Sequence, residues 1–223
     1  MFVRNKMARR QLKGDALTSA MVGIGMLFAA KGNPRANIED TLLAASEEGM
    51  DRDDYRVLGV LVEWWRVHRE FVNADRLIYL VSHSESERVR AFWSALAQLL
   101  PKDRRFARLI RPAHPQVPLL RTGNEFQVRR RGEDTRFADT ELKVPSGVLR
   151  HRPADVLGPA KLAQKHAGYR WRVIMGPSYR ADMWASLEAE PALTPTELAR
   201  KAYGSFATAW QVKRDRALVA LTP

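Results

Sequence analysis

The chain has 223 residues, of which 45% are apolar, a composition typical of a folded protein with one large domain or two small ones. Its formal net charge of +12 favours polyanionic partners, with nucleic acid ahead of an anionic membrane surface. The absence of cysteine excludes a disulfide framework, a thiolate metal site and a cysteine nucleophile.

The first thirty residues place a basic segment, residues 1–13, ahead of an apolar run. This order of regions is typical of a secretory signal peptide. Asp15 at the start of the run and Thr18 and Ser19 within it argue against that interpretation, and the run is too short to cross a bilayer securely. We therefore expect a buried helix over residues 15–30 in a cytoplasmic protein that does not bind membranes.

Five more helices are predicted before residue 112, because apolar residues recur there at helical spacing behind residues that cap helices. Their expected starts are Asn37, Asp51 or Asp53, Asn73, Ser84 or Ser86, and Lys102. Pro101 is expected to end the fifth helix of the chain. Together these helices predict an orthogonal bundle over residues 1–111, which we expect to form a homodimer or to bind a partner protein.

Two adjacent tryptophans, Trp64 and Trp65, lie in the third predicted helix. Their side chains leave the helix about 100° apart, so we expect one in the core and the other partly exposed. An exposed ring is a candidate contact for a partner protein or for the bases of a single strand, although core packing is the simpler interpretation.

Residues 112–158 are predicted to form a linker followed by a β-hairpin. The stretch "PAHPQVP" contains three prolines and is typical of a linker. Phe126 and Val128 alternate with polar residues, residues 132–134 carry a turn signal, and residues 137–144 can form the returning strand. The arginines near the predicted tip are candidate phosphate contacts, or alternatively they pair with the carboxylates beside them. They are Arg129, Arg130 and Arg131.

Three residues of the same region match a loose metal-nuclease pattern, D-x6-E-x-K. In restriction-type nucleases the two carboxylates hold a divalent metal and the lysine steadies the attacking water, which are the roles that Asp134, Glu141 and Lys143 would take. Such short matches are common by chance, and no α/β/α core is predicted around this one. The five histidines are not at metal-ligand spacing. We predict no catalytic residue, metal or cofactor, and a metal-dependent nuclease remains an alternative.

From residue 159 the chain is predicted to be helical again, at 159–167 and at 169–175. A further helix is predicted from Ser178 to Glu190, with Met183, Trp184 and Leu187 on its buried side. We assign residues 159–223 to one domain.

Two short helices are predicted after residue 193. Thr194 begins the first with a capping box to Glu197 and with Pro195 at the first helical position. Gly204 is expected to turn the chain with a positive φ, and Ser205 is expected to cap the second helix. The inward stripe of the first helix is expected to be Leu198, Ala199 and Ala202.

The second helix has two distinct faces in the predicted arrangement. One face is expected to be buried and consists of Phe206, Ala209, Trp210 and Ala217. The opposite face is expected to be exposed and consists of Ala207, Thr208, Gln211 and Val212, flanked by Lys213, Arg214 and Arg216. Small and polar residues with cations beside them are typical of a helix that enters the major groove of DNA.

Residues 175–218, "MGPSYRADMWASLEAEPALTPTELARKAYGSFATAWQVKRDRAL", resemble the winged helix-turn-helix core of bacterial transcriptional regulators. They are similar to the MarR-like and ArsR-like branches, and to the DNA-binding part of antitoxins and autoregulators encoded beside nucleotidyltransferase-type partners. The resemblance implies a mainly α fold, sequence-specific binding of double-stranded DNA, and a regulatory role in a toxin–antitoxin or defence operon. The family's wing is a hairpin after the recognition helix. Five residues follow Leu218 here, so the arginine-rich hairpin upstream is the candidate replacement.

The resemblance and the charges together give a set of candidate DNA-binding residues. Arg180, Arg200 and Lys201 are expected to hold phosphates on one side of the recognition helix, and Lys213 and Arg214 on the other. Ser205, Thr208 and Gln211 are expected to face base edges. A basic adaptor that binds RNA or a partner protein is the remaining alternative.

Overall fold

The protein is mainly helical, as the sequence predicts. The computed structural model describes residues 12–99 and 103–220. The α-helices in these ranges are α1 (Gly14–Gly23), α2 (Ile38–Asp51), α3 (Tyr55–His68), α4 (Ala74–Ser82), α5 (Glu87–Gln98), α6 (Asn124–Arg131), α7 (Pro159–Lys165), α8 (Ala167–Met175), α9 (Tyr179–Ala189), α10 (Pro195–Lys201) and α11 (Phe206–Ala220). Short 3-10 helices cover Arg69–Phe71, Arg104–Leu109 and Pro153–Asp155. The predicted basic segment up to residue 11, and Pro101, lie outside the described residues.

Side-chain caps begin most helices of the first half, and three of them were predicted. Asn37, Asn73 and Ser86 each accept a hydrogen bond from the main-chain N–H three residues further on. The cap of α3 is Asp54, one residue after the predicted Asp53. These bonds satisfy N–H groups that have no partner inside the helix, which fixes where each helix begins.

The first helix is shorter than the predicted span of residues 15–30. It ends at Gly23, which lies so close to Asn33 that a Cβ atom would stand 1.9 Å from the Asn33 carbonyl oxygen. Gly25 then adopts a φ of +95°, which an α-helix cannot continue. Met26 next forms a β-bridge with Val156, so the apolar run leaves the helix to contact the second half of the chain.

The predicted β-hairpin is wrong. Phe126 and Val128 lie in α6, and the two described strands, β1 (Val117–Pro118) and β2 (Leu142–Lys143), pair in parallel. Alternation over three residues is too short to distinguish a strand from a helix. The helix is favoured because its last turn places arginines at the negative end of the helix dipole and Gly132 supplies a positive φ just beyond it.

The main hydrophobic core is formed by α1–α5 and by residues from the second half of the chain, around three fully buried tryptophans. The expectation that only one of Trp64 and Trp65 is buried is wrong, because α3 is covered on two sides. The Trp64 Nε1 donates to the Ile24 carbonyl at 2.7 Å, and the Trp65 Nε1 donates to the Leu96 carbonyl at 3.0 Å. Neither ring is therefore available to a partner. No helix within the described ranges has the length and apolar character needed to cross a bilayer.

A second, smaller core joins α9, α10 and α11, which we call the three-helix unit. The predicted inward residues Met183, Leu187, Leu198, Ala199 and Ala202 all lie in it. Residues from the two preceding helices, Leu162 of α7 and Tyr169 of α8, belong instead to the main core. The three-helix unit therefore packs around apolar residues of its own.

Replacing the capping residue of α10 tests the start of this unit. The capping box is present: Thr194 accepts from the N–H of Glu197, and the Glu197 carboxylate accepts from the N–H of Thr194 at 2.8 Å. We expect Thr194→Ala to lower the free energy of unfolding by about 1 kcal/mol in urea denaturation. The control is Thr196→Ala, at an exposed position of the first turn, and an equal loss in both variants would contradict the assignment.

Candidate nucleic-acid interface

The turn between α10 and α11 has the hydrogen bonding of a Schellman motif. The N–H of Gly204 donates to the Ala199 carbonyl at 3.0 Å. The prediction of a positive φ at Gly204 is wrong, because the residue with a positive φ, +57°, is Tyr203. Gly204 is needed for space instead, because a Cβ atom there would lie 2.4 Å from the Met183 Cε and 3.2 Å from the Tyr179 Cβ.

Tyr203 connects this turn to the helical bundle through two contacts. Its hydroxyl donates to the buried Asp40 carboxylate at 2.5 Å, and the Arg76 guanidinium lies 3.6 Å from the centre of its ring. Burial and the Asp40 carboxylate raise the pKa of Tyr203 well above its usual range. A left-handed backbone is unfavourable for a bulky residue by about 1 kcal/mol. The hydrogen bond to Asp40 and the contact with Arg76 offset that penalty. A glycine at this position would avoid the penalty but would make neither contact.

A second joint is formed by the buried guanidinium of Arg172 on α8. It donates to the Glu39 carboxylate of α2 at 2.5 and 2.9 Å, and to the Asp182 carboxylate of α9 at 2.8 and 2.9 Å. A further bond reaches the Phe71 carbonyl at 3.1 Å. Although burial lowers the pKa of Arg172, the two carboxylates outweigh it and raise this pKa. Charged hydrogen bonds therefore link the bundle, α8 and the three-helix unit.

The exposed face of α11 is not the predicted one. Phe206, Trp210 and Ala217 are exposed although they were expected inside, and Val212 is buried although it was expected outside. Ala209 is buried as predicted. The small core beside Ala199 and Ala202 accepts Ala209 and Val212 but not two aromatic rings, so α11 turns its aromatic side outward.

This orientation of α11 leaves a continuous exposed surface, which we call the outer stripe. It consists of Phe206, Ala207, Trp210, Gln211 and Arg214. These are positions 1, 2, 5, 6 and 9 of α11, which share one side of a helix. Gln211 lies in the stripe as predicted, whereas Ser205 and Thr208 are half-buried and their hydroxyls bond each other at 2.8 Å. Ser205 also accepts from the N–H of Thr208, so it caps α11 as predicted.

Most of the predicted phosphate contacts of this unit are engaged within the protein. The pairs are Arg180 with Asp215 at 2.9 Å, Arg214 with Asp215 at 3.1 Å, Lys201 with Glu190 at 2.6 Å, and Lys213 with the Leu193 carbonyl at 2.5 Å. Arg200 is exposed on α10. Residues 178–220 contain six Lys and Arg against five Asp and Glu, so most of the net charge of the chain lies elsewhere.

A second basic surface lies at the end of α6. Arg129, Arg130 and Arg131 are exposed there, and Phe126 on the same helix is 56% exposed. Arg121, just before α6, donates to the carbonyl of Asp51 at the last residue of α2, whereas Tyr203 contacts α2 near its start. These two contact points are about 16 Å apart along the helix axis. Arg121, just before α6, therefore contacts the end of α2 opposite to the end that Tyr203 contacts.

The three residues of the nuclease pattern are each paired separately. Asp134 binds Arg136 at 2.7 Å, Glu141 binds Arg111 at 3.1 Å, and Lys143 binds Glu125 at 2.8 Å. Across the described residues, no cluster of three or more His, Asp or Glu side chains is placed to hold a metal ion. No geometric feature of this region favours the nuclease alternative.

Comparison with known proteins adds no assignment. No family model, no curated protein and no solved structure matches the chain. The resemblance to winged helix-turn-helix regulators therefore rests on residues 175–218 alone.

Removing the Tyr203 hydroxyl tests the joint between the turn and the bundle. We expect Tyr203→Phe to lower the free energy of unfolding by about 2 kcal/mol, because a buried carboxylate loses a charged hydrogen bond. Urea denaturation measures this loss. The control is the same substitution in an Asp40→Ala background, where no side-chain oxygen remains to accept the bond and the substitution should matter much less. Equal losses in both backgrounds would exclude the Tyr203–Asp40 bond as their cause.

Proposed function

We propose that the protein binds double-stranded DNA through the outer stripe of α11 and regulates transcription. The observation that carries the proposal is the stripe itself. Burial of Ala209 and Val212 against the other two helices leaves positions 1, 2, 5, 6 and 9 of α11 facing solvent over about 12 Å of helix axis. A major groove about 12 Å wide admits such a helix.

The side chains of the stripe and its neighbours have distinct roles in this proposal. The Gln211 amide reads a base edge, most favourably adenine, to which it can donate and accept. Arg200 contacts phosphate from α10, and Arg214 exchanges Asp215 for phosphate. Ser205 and Thr208 hold the first turn of α11 in place. The remaining cations of the chain, including Arg129–Arg131, supply long-range attraction to DNA.

The wider biological setting follows from the resemblance and from the helical bundle. A homodimer formed by the bundle would place two copies of α11 on a pseudo-palindromic site with half-sites about 34 Å apart. The similarity to antitoxin-type autoregulators supports a role in a toxin–antitoxin or defence operon, acting in the cytoplasm.

Selection from a random duplex library, with the promoter of the protein's own gene included, tests the proposal. We expect Gln211→Ala to reduce the preference for the selected duplex over a scrambled one about tenfold, since a bidentate base contact contributes about 1–3 kcal/mol. Arg200→Ala should weaken binding to all duplexes alike and reduce the salt slope by about one. Arg170→Ala, which removes a cation bound to Glu188 outside the stripe, is the matched control. Absence of duplex binding at low salt would exclude the function.

A basic adaptor is the second candidate, because Arg129, Arg130 and Arg131 form an exposed basic surface on α6. Such a protein would bind RNA through Arg129–Arg131. Competition between a duplex DNA and a structured RNA discriminates the two candidates. If the protein is an adaptor, RNA displaces DNA from it. Substitution of all three arginines by Ala then abolishes RNA binding.

A further inference from the structure

The outer stripe is unusually apolar for a surface that faces solvent. Phe206 is 57% exposed and Trp210 is 51% exposed, with Ala207 beside them. The Arg214 guanidinium lies 5.6 Å from the centre of the Trp210 ring and covers one of its faces. Half-exposed aromatic rings on the solvent-exposed side of a helix indicate a surface that binds a partner.

The chemistry of the stripe selects one kind of base pair. On the base edges of the major groove, the apolar group is the C5-methyl of thymine. Gln211, which follows Trp210 in the stripe, pairs most favourably with adenine, the base opposite thymine. Apolar and amide side chains of one stripe therefore favour the same A·T pair for independent reasons.

We propose that Phe206 and Trp210 contact thymine methyl groups, and that they are specificity-determining residues for a site containing A·T pairs. This inference rests on the proposed function. The two side chains are four residues apart, about 6 Å along the helix axis. That spacing corresponds to roughly two base-pair steps of 3.4 Å, so the rings reach thymines separated by about two steps.

The charges around the stripe argue for DNA over a second copy of the chain. Lys213, Arg214 and Arg216 outnumber Asp215, the one carboxylate among them, so a second copy would bring an excess of positive charge together. The phosphates beside a major groove match the same cations.

Removal of the methyl group from the DNA gives a direct test. The full-length protein is titrated by fluorescence anisotropy into a short alternating A·T duplex, the same duplex with uracil in place of thymine, and a G·C duplex of equal length. We expect uracil to weaken binding about fivefold, Trp210→Ala to reduce the difference between the thymine and uracil duplexes, and the double substitution Phe206→Ala/Trp210→Ala to abolish it. The matched control is Ile174→Ala, which truncates a side chain that is 63% exposed on α8 and should preserve the difference.

The possible results separate this inference from the proposed function. Equal binding of the thymine and uracil duplexes overturns the inference and leaves DNA binding standing. Failure to bind any duplex overturns both. A dimer in light scattering that Trp210→Ala dissociates, or displacement of duplex by single-stranded DNA, would assign the stripe to another partner and overturn the inference.

Discussion

Replacement of Arg172 by Ala is expected to lower the free energy of unfolding by about 3–5 kcal/mol. The guanidinium is 1% exposed and donates to the carboxylates of Glu39 and Asp182. Its removal leaves Glu39 in the interior without its counter-charge, while water cannot replace the lost bonds. Urea denaturation followed by circular dichroism measures the loss.

The neighbouring arginine on the same helix provides the control. Arg170 pairs with Glu188, but the two side chains are 41% and 43% exposed. Arg170→Ala should therefore change the free energy of unfolding by less than about 1 kcal/mol. Arg172→Lys should recover only part of the stability, because an ammonium group cannot form two bidentate pairs. Similar losses for Arg170→Ala and Arg172→Ala would contradict a special role for the buried joint.

Acidification should destabilise the protein through two buried histidines. Burial lowers the pKa of His68 and of His166 from 6.5 to about 4. Between these values the unfolded chain binds protons that the folded chain does not, so stability decreases as the pH falls from 6.5 towards 4. The loss reaches up to about 3 kcal/mol for each histidine at the acidic end of this window.

The hydrogen bonds of both rings match the neutral form that burial favours. Each Nε2 faces a main-chain carbonyl, of Leu157 for His68 and of Ala36 for His166, so it carries the proton and donates. Each Nδ1 then accepts from Tyr169, His68 from its hydroxyl and His166 from its N–H. A second proton on Nδ1 would remove both accepted bonds.

The pH dependence of stability is the measurement that distinguishes these histidines. Urea denaturation between about pH 7.5 and about pH 4.5 gives the slope of the free energy of unfolding against pH. We expect His68→Gln and His166→Asn each to flatten this slope, whatever their absolute stability. An unchanged slope in the two buried variants would exclude them as the source.

Features fixed by neighbouring residues were predicted correctly. The caps at Asn37, Asn73 and Ser86 and the capping box at Thr194 depend on contacts three residues apart, which a sequence displays directly. Features that depend on contacts between distant parts of the chain were not predicted correctly. The exposed face of α11 was assigned wrongly because its apolar residues surround the helix, and only the packing of Ala209 and Val212 against α9 and α10 decides between the faces.

The joint between the bundle and the three-helix unit could not be predicted at all. Arg172 and Glu39 are 133 residues apart, and Tyr203 and Asp40 are 163 residues apart. Glu39 and Asp40 have an adequate local explanation, since acidic residues stabilise the first turn of a helix. Nothing in one sequence indicates that they also bind distant cations in the interior.

The Arg172 joint restricts how this chain can evolve. Loss of one of these charges leaves its partners buried without a counter-charge, whereas replacement of all three charged residues by well-packed apolar residues is tolerated. Drift at Glu39, Arg172 and Asp182 must therefore be concerted. Distant homologues of this protein should carry all three charges or none, and such covariation would indicate homology after the rest of the sequence has diverged.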